Sequence, residues 1–261
     1  VPDVLRASGA RLVEVGTTNR THLHDYVAAV GEETAAILSV HPSNFRQVGF
    51  VSHPSYAELA AVGPPLLVDL GSGALEPDGD EPTVPEALAA GAAVVCVSGD
   101  KLLGGPQSGL ALGSRSFIER MGRHPLMRAL RADKVTLAAL EGTLDAWLTG
   151  ADLPIRRMRE ASVDLLEAEA RGWLALLPEW VQAEVVSVQG AIGGGTTPGR
   201  TWPSAALSIT HPGPEALRAA LLRVDPPVIG RIKGGALQLD ARTVAPLGLG
   251  PTLMSALQSA L

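Results

Sequence analysis

The stretch "AAVVCVSGDKLLGGPQSG" (Ala92–Gly109) joins a short apolar run, Ala92–Val97, to a lysine held between an acidic neighbour and paired glycines. The run is strand-like, and Arg11–Val15, Ala35–Val40 and Pro65–Asp69 resemble it. None alternates cleanly between apolar and polar residues, the pattern of parallel strands covered on both faces. Between these runs, "THLHDYVAAV" (21–30), "SYAELAAV" (55–62) and "VPEALAA" (84–90) carry helical spacing and begin with Thr, Ser or Pro near the first turn. Strand, helix, strand and helix in turn predict an α/β fold with a mainly parallel sheet.

Beyond Gly109 the sequence predicts a short strand, a helix and the strongly helical "ADKVTLAALEGTLDAWL" (132–148), and the pattern breaks around Gly150–Pro154. An amphipathic segment, "IRRMREASVDLLEAEARGWLALL" (155–177), is followed by hairpin-like runs: "AEVVSVQG" (183–190), "SAALSIT" (204–210), "PVIGRI" (227–232) and "ALQLDA" (236–241). The expected organisation is a partial large domain over 1–150 and a small α+β domain over 151–261.

Composition narrows the classes. The 261 residues suffice for a sizeable core, and 46% hydrophobic content with 29 Gly and 20 Pro fits a loop-rich enzyme. A lone cysteine, Cys96, excludes an internal disulfide framework and a multi-cysteine zinc site, and an intracellular, cytoplasmic protein is expected. No apolar run approaches the roughly 20 residues of a membrane span. A net charge of −6 argues against a broadly basic nucleic-acid surface, leaving only local patches such as Arg128, Arg131 and Lys134. His22 and His24 are the closest histidine pair, but positions i and i+2 of a helix diverge, so no metal site is expected.

Ligands of parallel α/β sheets bind at the carboxyl ends of the strands, where Asp69 and Lys101 both fall. A Walker phosphate loop needs its glycines before the lysine and Ser or Thr directly after it; here Gly104 and Gly105 follow and Leu102 intervenes. A Schiff-base lysine for pyridoxal phosphate fits better. Lys101 would carry the cofactor, Asp69 would pair with the pyridinium nitrogen, Ser98 would donate to the phosphate, and the backbone of Gly104 and Gly105 would approach the anion. Ser43 and Asn44 are candidates for the ring's phenolic oxygen, although Ser and Asn at a strand end also make ordinary turns. Asn19 and Arg20 either approach a neighbouring subunit's site or belong to a helix cap through Thr21.

"EVGTTNRTHLHDY" (14–26), "VHPSNF" (40–45), "VDLGSGAL" (68–75), "SGDKLLGGPQSG" (98–109), "HPLMRALRADKVTLAALEGTL" (124–144), "PSAAL" (203–207) and "PVIGRI" resemble, in this order, stretches of the bacterial selenocysteine synthases, the L-seryl-tRNA(Sec) selenium transferases. The resemblance implies the fold-type I, aspartate-aminotransferase-like architecture, with Lys101 as the pyridoxal lysine and Arg128 and Arg131 placed for the anionic selenium donor. It also implies seryl-tRNA(Sec) and selenophosphate as substrates, an aminoacrylate intermediate, and a homo-oligomer with sites at a dimer interface. The family's N-terminal tRNA-binding domain, phosphate-binding loop and ring-stacking group have no counterpart in the 68 residues before Asp69. The chain is therefore expected to be a carboxyl-terminal portion or a degenerate gene product, and not a working enzyme by itself. Two alternatives stay open: a related lyase acting on a small amino acid or amino-sugar acid, for which Arg231 would hold the free carboxylate, and an inactive scaffold.

Overall fold

The computed structural model describes residues 2–77, 79–193 and 196–261. The chain forms two compact units, Val1–Gly142 with Gly193–Gly199, and Thr143–Ile192 with Arg200–Leu261.

In the first unit the elements run α1 (Pro2–Ala7), α2 (Leu23–Ala29), β1 (Ile37–Val40), α3 (Tyr56–Ala60), β2 (Leu66–Gly71), α4 (Val84–Ala89), β3 (Val94–Ser98), β4 (Gly109–Gly113), α5 (Arg115–Arg123) and α6 (Leu126–Leu130). Helix α7 (Lys134–Thr149) follows and runs past the division between the units. The sheet order is β1-β2-β3-β4, parallel across the first three strands and antiparallel at β4. Capping boxes start two of the short helices. Ser55 and Glu58 exchange side-chain to backbone bonds before α3, and Thr83 and Glu86 do so before α4.

Three expectations are corrected here. Arg11–Val15 is not a strand: it has no strand partner among the described residues, and three of its five residues are exposed. The strands are not equally covered on both faces. In β2 the side chains of Leu66, Val68 and Leu70 are buried against the core with Leu59, Val84 and Ala87, whereas Leu67, Asp69 and Gly71 are half-buried. The near-continuous apolar sequence hides that difference. Finally, His22 rather than Thr21 caps α2: its N–H donates to the Asp25 carboxylate at 2.7 Å, while the Thr21 hydroxyl donates back to the Thr17 carbonyl.

The second unit contains α8 (Pro154–Glu160), α9 (Val163–Ala175), β5 (Gln182–Gly190), β6 (Trp202–Thr210), α10 (Pro214–Leu221), β7 (Arg231–Lys233), β8 (Ala236–Asp240) and α11 (Gly250–Ala260). The amphipathic segment is two helices, because Ser162 takes the Leu165 N–H and starts α9 afresh. Its sheet is antiparallel in the order β5-β6-β8-β7, and "PVIGRI" contributes only its last residues to a strand. Leu166 and Trp173 of α9, Leu207 and Ile209 of β6, Leu221 of α10 and Leu257 of α11 meet in one buried core. Arg242 closes the end of α8, donating to the carbonyls of Met158 at 2.8 Å and Ala161 at 3.1 Å.

Candidate active site

Sheet register brings the first unit's polar residues to one place. Val40 pairs with Asp69, and Asp69 with Cys96, so the three share a face, and Ser98 returns to it two residues later. The register shifts between Asp69 and Gly71, which re-aims the end of β2. A cavity of about 640 Å³ opens there, lined by Val40, His41, Pro42, Ser43, Asn44, Phe45, Asp69, Gly71, Ser98 and Lys101. Five of the expected cofactor residues, Lys101, Asp69, Ser98, Ser43 and Asn44, thus share one cavity.

Gly71 explains how the lysine fits. Its φ of +69° is the left-handed conformation that favours glycine, and a Cβ there would lie 3.3 Å from Ser43 Oγ and 3.5 Å from Lys101 Nζ. The hydroxyl and the amine face the same point.

Gly104 and Gly105 are placed differently from the expectation. The Gly104 N–H donates to the Lys101 carbonyl at 2.9 Å and the Gly105 N–H to the Gly99 carbonyl at 2.8 Å. Both amides are engaged in shaping the lysine loop, and neither glycine lines the cavity.

Behind the cavity stands a group the sequence did not mark. His41 Nε2 lies 3.5 Å from an oxygen of Glu81, which is 8% exposed. Burial pushes the Glu81 carboxyl up, but contact with His41, the nearby Ser72 hydroxyl and the charges of His41 and Lys101 together hold it below its ordinary value. Ser72 Oγ and Glu81 Oε1 are buried without a hydrogen-bond partner of normal geometry. Tyr56, also close to Glu81, is pushed up to about 12 by burial and by that carboxylate. Cys96 is raised as well, by burial and by Asp69. Glu81 sits in "PDGDEP", which reads as a polar turn, and its partner is 40 positions upstream at the end of β1; nothing local signals the pairing.

The remaining candidates are not among the residues that line the cavity. Arg128, in α6, and Arg131, just beyond it, are exposed. Arg231 belongs to the second unit, where it donates to the Gln189 carbonyl at 3.2 Å and meets Asp240 at 3.5 Å. Asn19 and Arg20 tie two loops together: Asn19 donates to the Phe50 carbonyl, and the Arg20 guanidinium lies over the Phe50 ring. His22 and His24 do not diverge. Their rings stack 5.4 Å apart, because His22 stands outside the helix with extended backbone. Among the described residues no group of three or more His, Cys, Asp or Glu side chains is arranged to hold a metal ion, and no helix is long and apolar enough to cross a membrane.

The family model described as SelA, L-seryl-tRNA selenium transferase, matches residues 1–245. The chain belongs to this family. It is 45% identical to the L-seryl-tRNA(Sec) selenium transferase of Solidesulfovibrio magneticus, over 94% of this chain and 57% of that protein. It is 44% identical to that of Nitratidesulfovibrio vulgaris, over all of this chain and 60% of the relative. The chain thus spans somewhat under two thirds of the length of these curated relatives. Among solved structures, D-glucosaminate-6-phosphate ammonia-lyase matches with a TM-score of 0.65 at 21% identity, covering 99% of this chain and 67% of that one. The fold is the expected fold-type I, aspartate-aminotransferase-like α/β architecture.

Pyridoxal phosphate is the cofactor of this fold and family, and the cavity suits it. One of the chain's three lysines and a half-buried aspartate line a single space, with the Ser43 and Ser98 hydroxyls beside them. A Cβ at Gly71 would fill the space between Ser43 and Lys101.

Proposed function

We propose that the protein converts seryl-tRNA(Sec) to selenocysteinyl-tRNA(Sec) with selenophosphate as donor. The observation that carries this reading is the shared cavity of Lys101 and Asp69 in a chain of this family. When bound, pyridoxal phosphate supplies an electron sink for charge developing at the serine α-carbon. The Lys101 amine would hold the cofactor, and its Nζ, when free, would take the α-proton. Asp69 would keep the ring nitrogen charged, Ser43 and Asn44 would meet the phenolic oxygen, and Ser98 would donate to the phosphate. Arg128 and Arg131 clamp the selenophosphate oxygens, for which the guanidinium fork is suited, and their exposure leaves them open to a diffusing anion.

The first unit serves as part of the cofactor domain and the second as the small domain, and the working enzyme is a homo-oligomer with sites at a subunit interface. A lyase would need Arg231 for a free substrate carboxylate, yet that guanidinium already meets Asp240 and a backbone carbonyl. The ester-linked seryl group makes no such demand.

Converting both Arg128 and Arg131 to alanine is expected to lower selenophosphate use by about a hundredfold or more, since each lost charge-assisted contact costs about 1.5–3 kcal/mol. Cofactor capture should be unchanged. Equal loss of both would reassign the arginines to the cofactor or the fold.

A further inference from the structure

We propose that Glu81 is a positioning residue that sets the charge of the Lys101 nitrogen from behind the cavity, with His41 and Ser72 holding its carboxylate. This rests on the reading of Lys101 as the pyridoxal lysine.

A carboxylate 8% exposed is costly unless its oxygens are paired. Glu81 meets His41 through one oxygen, and the other is buried without a hydrogen bond of normal geometry. It caps no helix, because Glu86 performs that task for α4. The geometry runs from Glu81 to the cavity side through His41, which meets the carboxylate at 3.5 Å and lines the cavity together with the cation Lys101. Ser72 joins the two sides. Its carbonyl accepts the Leu102 N–H at 2.9 Å, fixing the start of the lysine loop, while its buried hydroxyl lies near Glu81.

The other ionisable groups around the site do not duplicate this role. Asp69 lines the cavity and is committed to the ring nitrogen, Asp100 beside Lys101 is exposed, and Tyr56 and Cys96 are raised and so stay neutral. Glu81 is the carboxylate shielded from water, where a charge acts with least screening. It favours the protonated form of the nitrogen that Lys101 gives to the cofactor, the form open to attack by a substrate amine.

The test titrates the visible absorbance of pyridoxal phosphate bound to the protein, a signal independent of turnover. Glu81→Gln keeps the shape and removes the charge. The midpoint at which the bound Schiff base loses its proton is expected to fall by about one pH unit, a tenfold loss of proton affinity. Ser72→Ala, a change at the buried hydroxyl near Glu81, provides a second probe that does not depend on Glu81→Gln folding, and should move the midpoint the same way by less. An unchanged or raised midpoint in either folded variant overturns the proposal while leaving the Lys101 reading intact. A protein that forms no Lys101 absorbance band before any substitution overturns the reading itself, and this inference with it.

Discussion

The two units treat the apolar faces of their helices in opposite ways. In the second, α9, α10 and α11 each press apolar side chains onto the sheet, and Arg242 gives its donors to carbonyls that α8 leaves open. In the first, α5 and α6 bury no residue. One arrangement buries its helix faces against a sheet. The other leaves helix faces exposed in the unit that carries the cavity.

The largest expected effect would break this contrast if it failed. Trp173→Ala, in the closed core, should cost about 3–5 kcal/mol in chemical denaturation, whereas Val135→Ala, on the exposed face of the part of α7 that belongs to the first unit, should stay within about 0.5 kcal/mol. Comparable losses would show that α7 is as firmly packed as α9. A smaller effect sharpens the account of the cavity. Gly71→Ala places a side chain at positive φ between Ser43 and Lys101, and should cost about 1 kcal/mol of stability while sharply weakening pyridoxal phosphate capture. Unaltered capture would mean that the space is not used.

The smallest effect lies on the acid side. Glu58 is held below its ordinary 4.5 by the Ser55 hydroxyl and backbone, and Glu86 by the Thr83 backbone and hydroxyl. Asp133 is held below 3.8, chiefly by the Thr136 N–H and hydroxyl. Folded values below the unfolded ones add stability at neutral pH that is lost as pH falls through the folded values. Stability measured by circular dichroism should therefore be steady down to about pH 5 and fall below it, and Glu58→Gln with Glu86→Gln should flatten that fall. An unchanged acid limb in the double variant would remove these caps from the explanation.

The meeting of Asp69 and Lys101 was legible because a strand–helix–strand spacing puts two residues on neighbouring strand ends, and period-2 geometry does the rest. Arg11–Val15 misled because apolar runs indicate strand tendency but cannot supply a partner. The His41–Glu81 pair was illegible for a different reason: burial of Glu81 is made by tertiary packing, while its local sequence is that of a solvated turn. The loop amides of Gly104 and Gly105 follow the same logic, since glycine content shows which backbone is permitted and not which acceptor it finds.

Borohydride reduction in the presence of pyridoxal phosphate, followed by peptide mapping, tests the central claim most directly. The account predicts the adduct on the peptide carrying Lys101 and its disappearance in Lys101→Ala. An adduct on Lys134 or Lys233 that survives that substitution would contradict it.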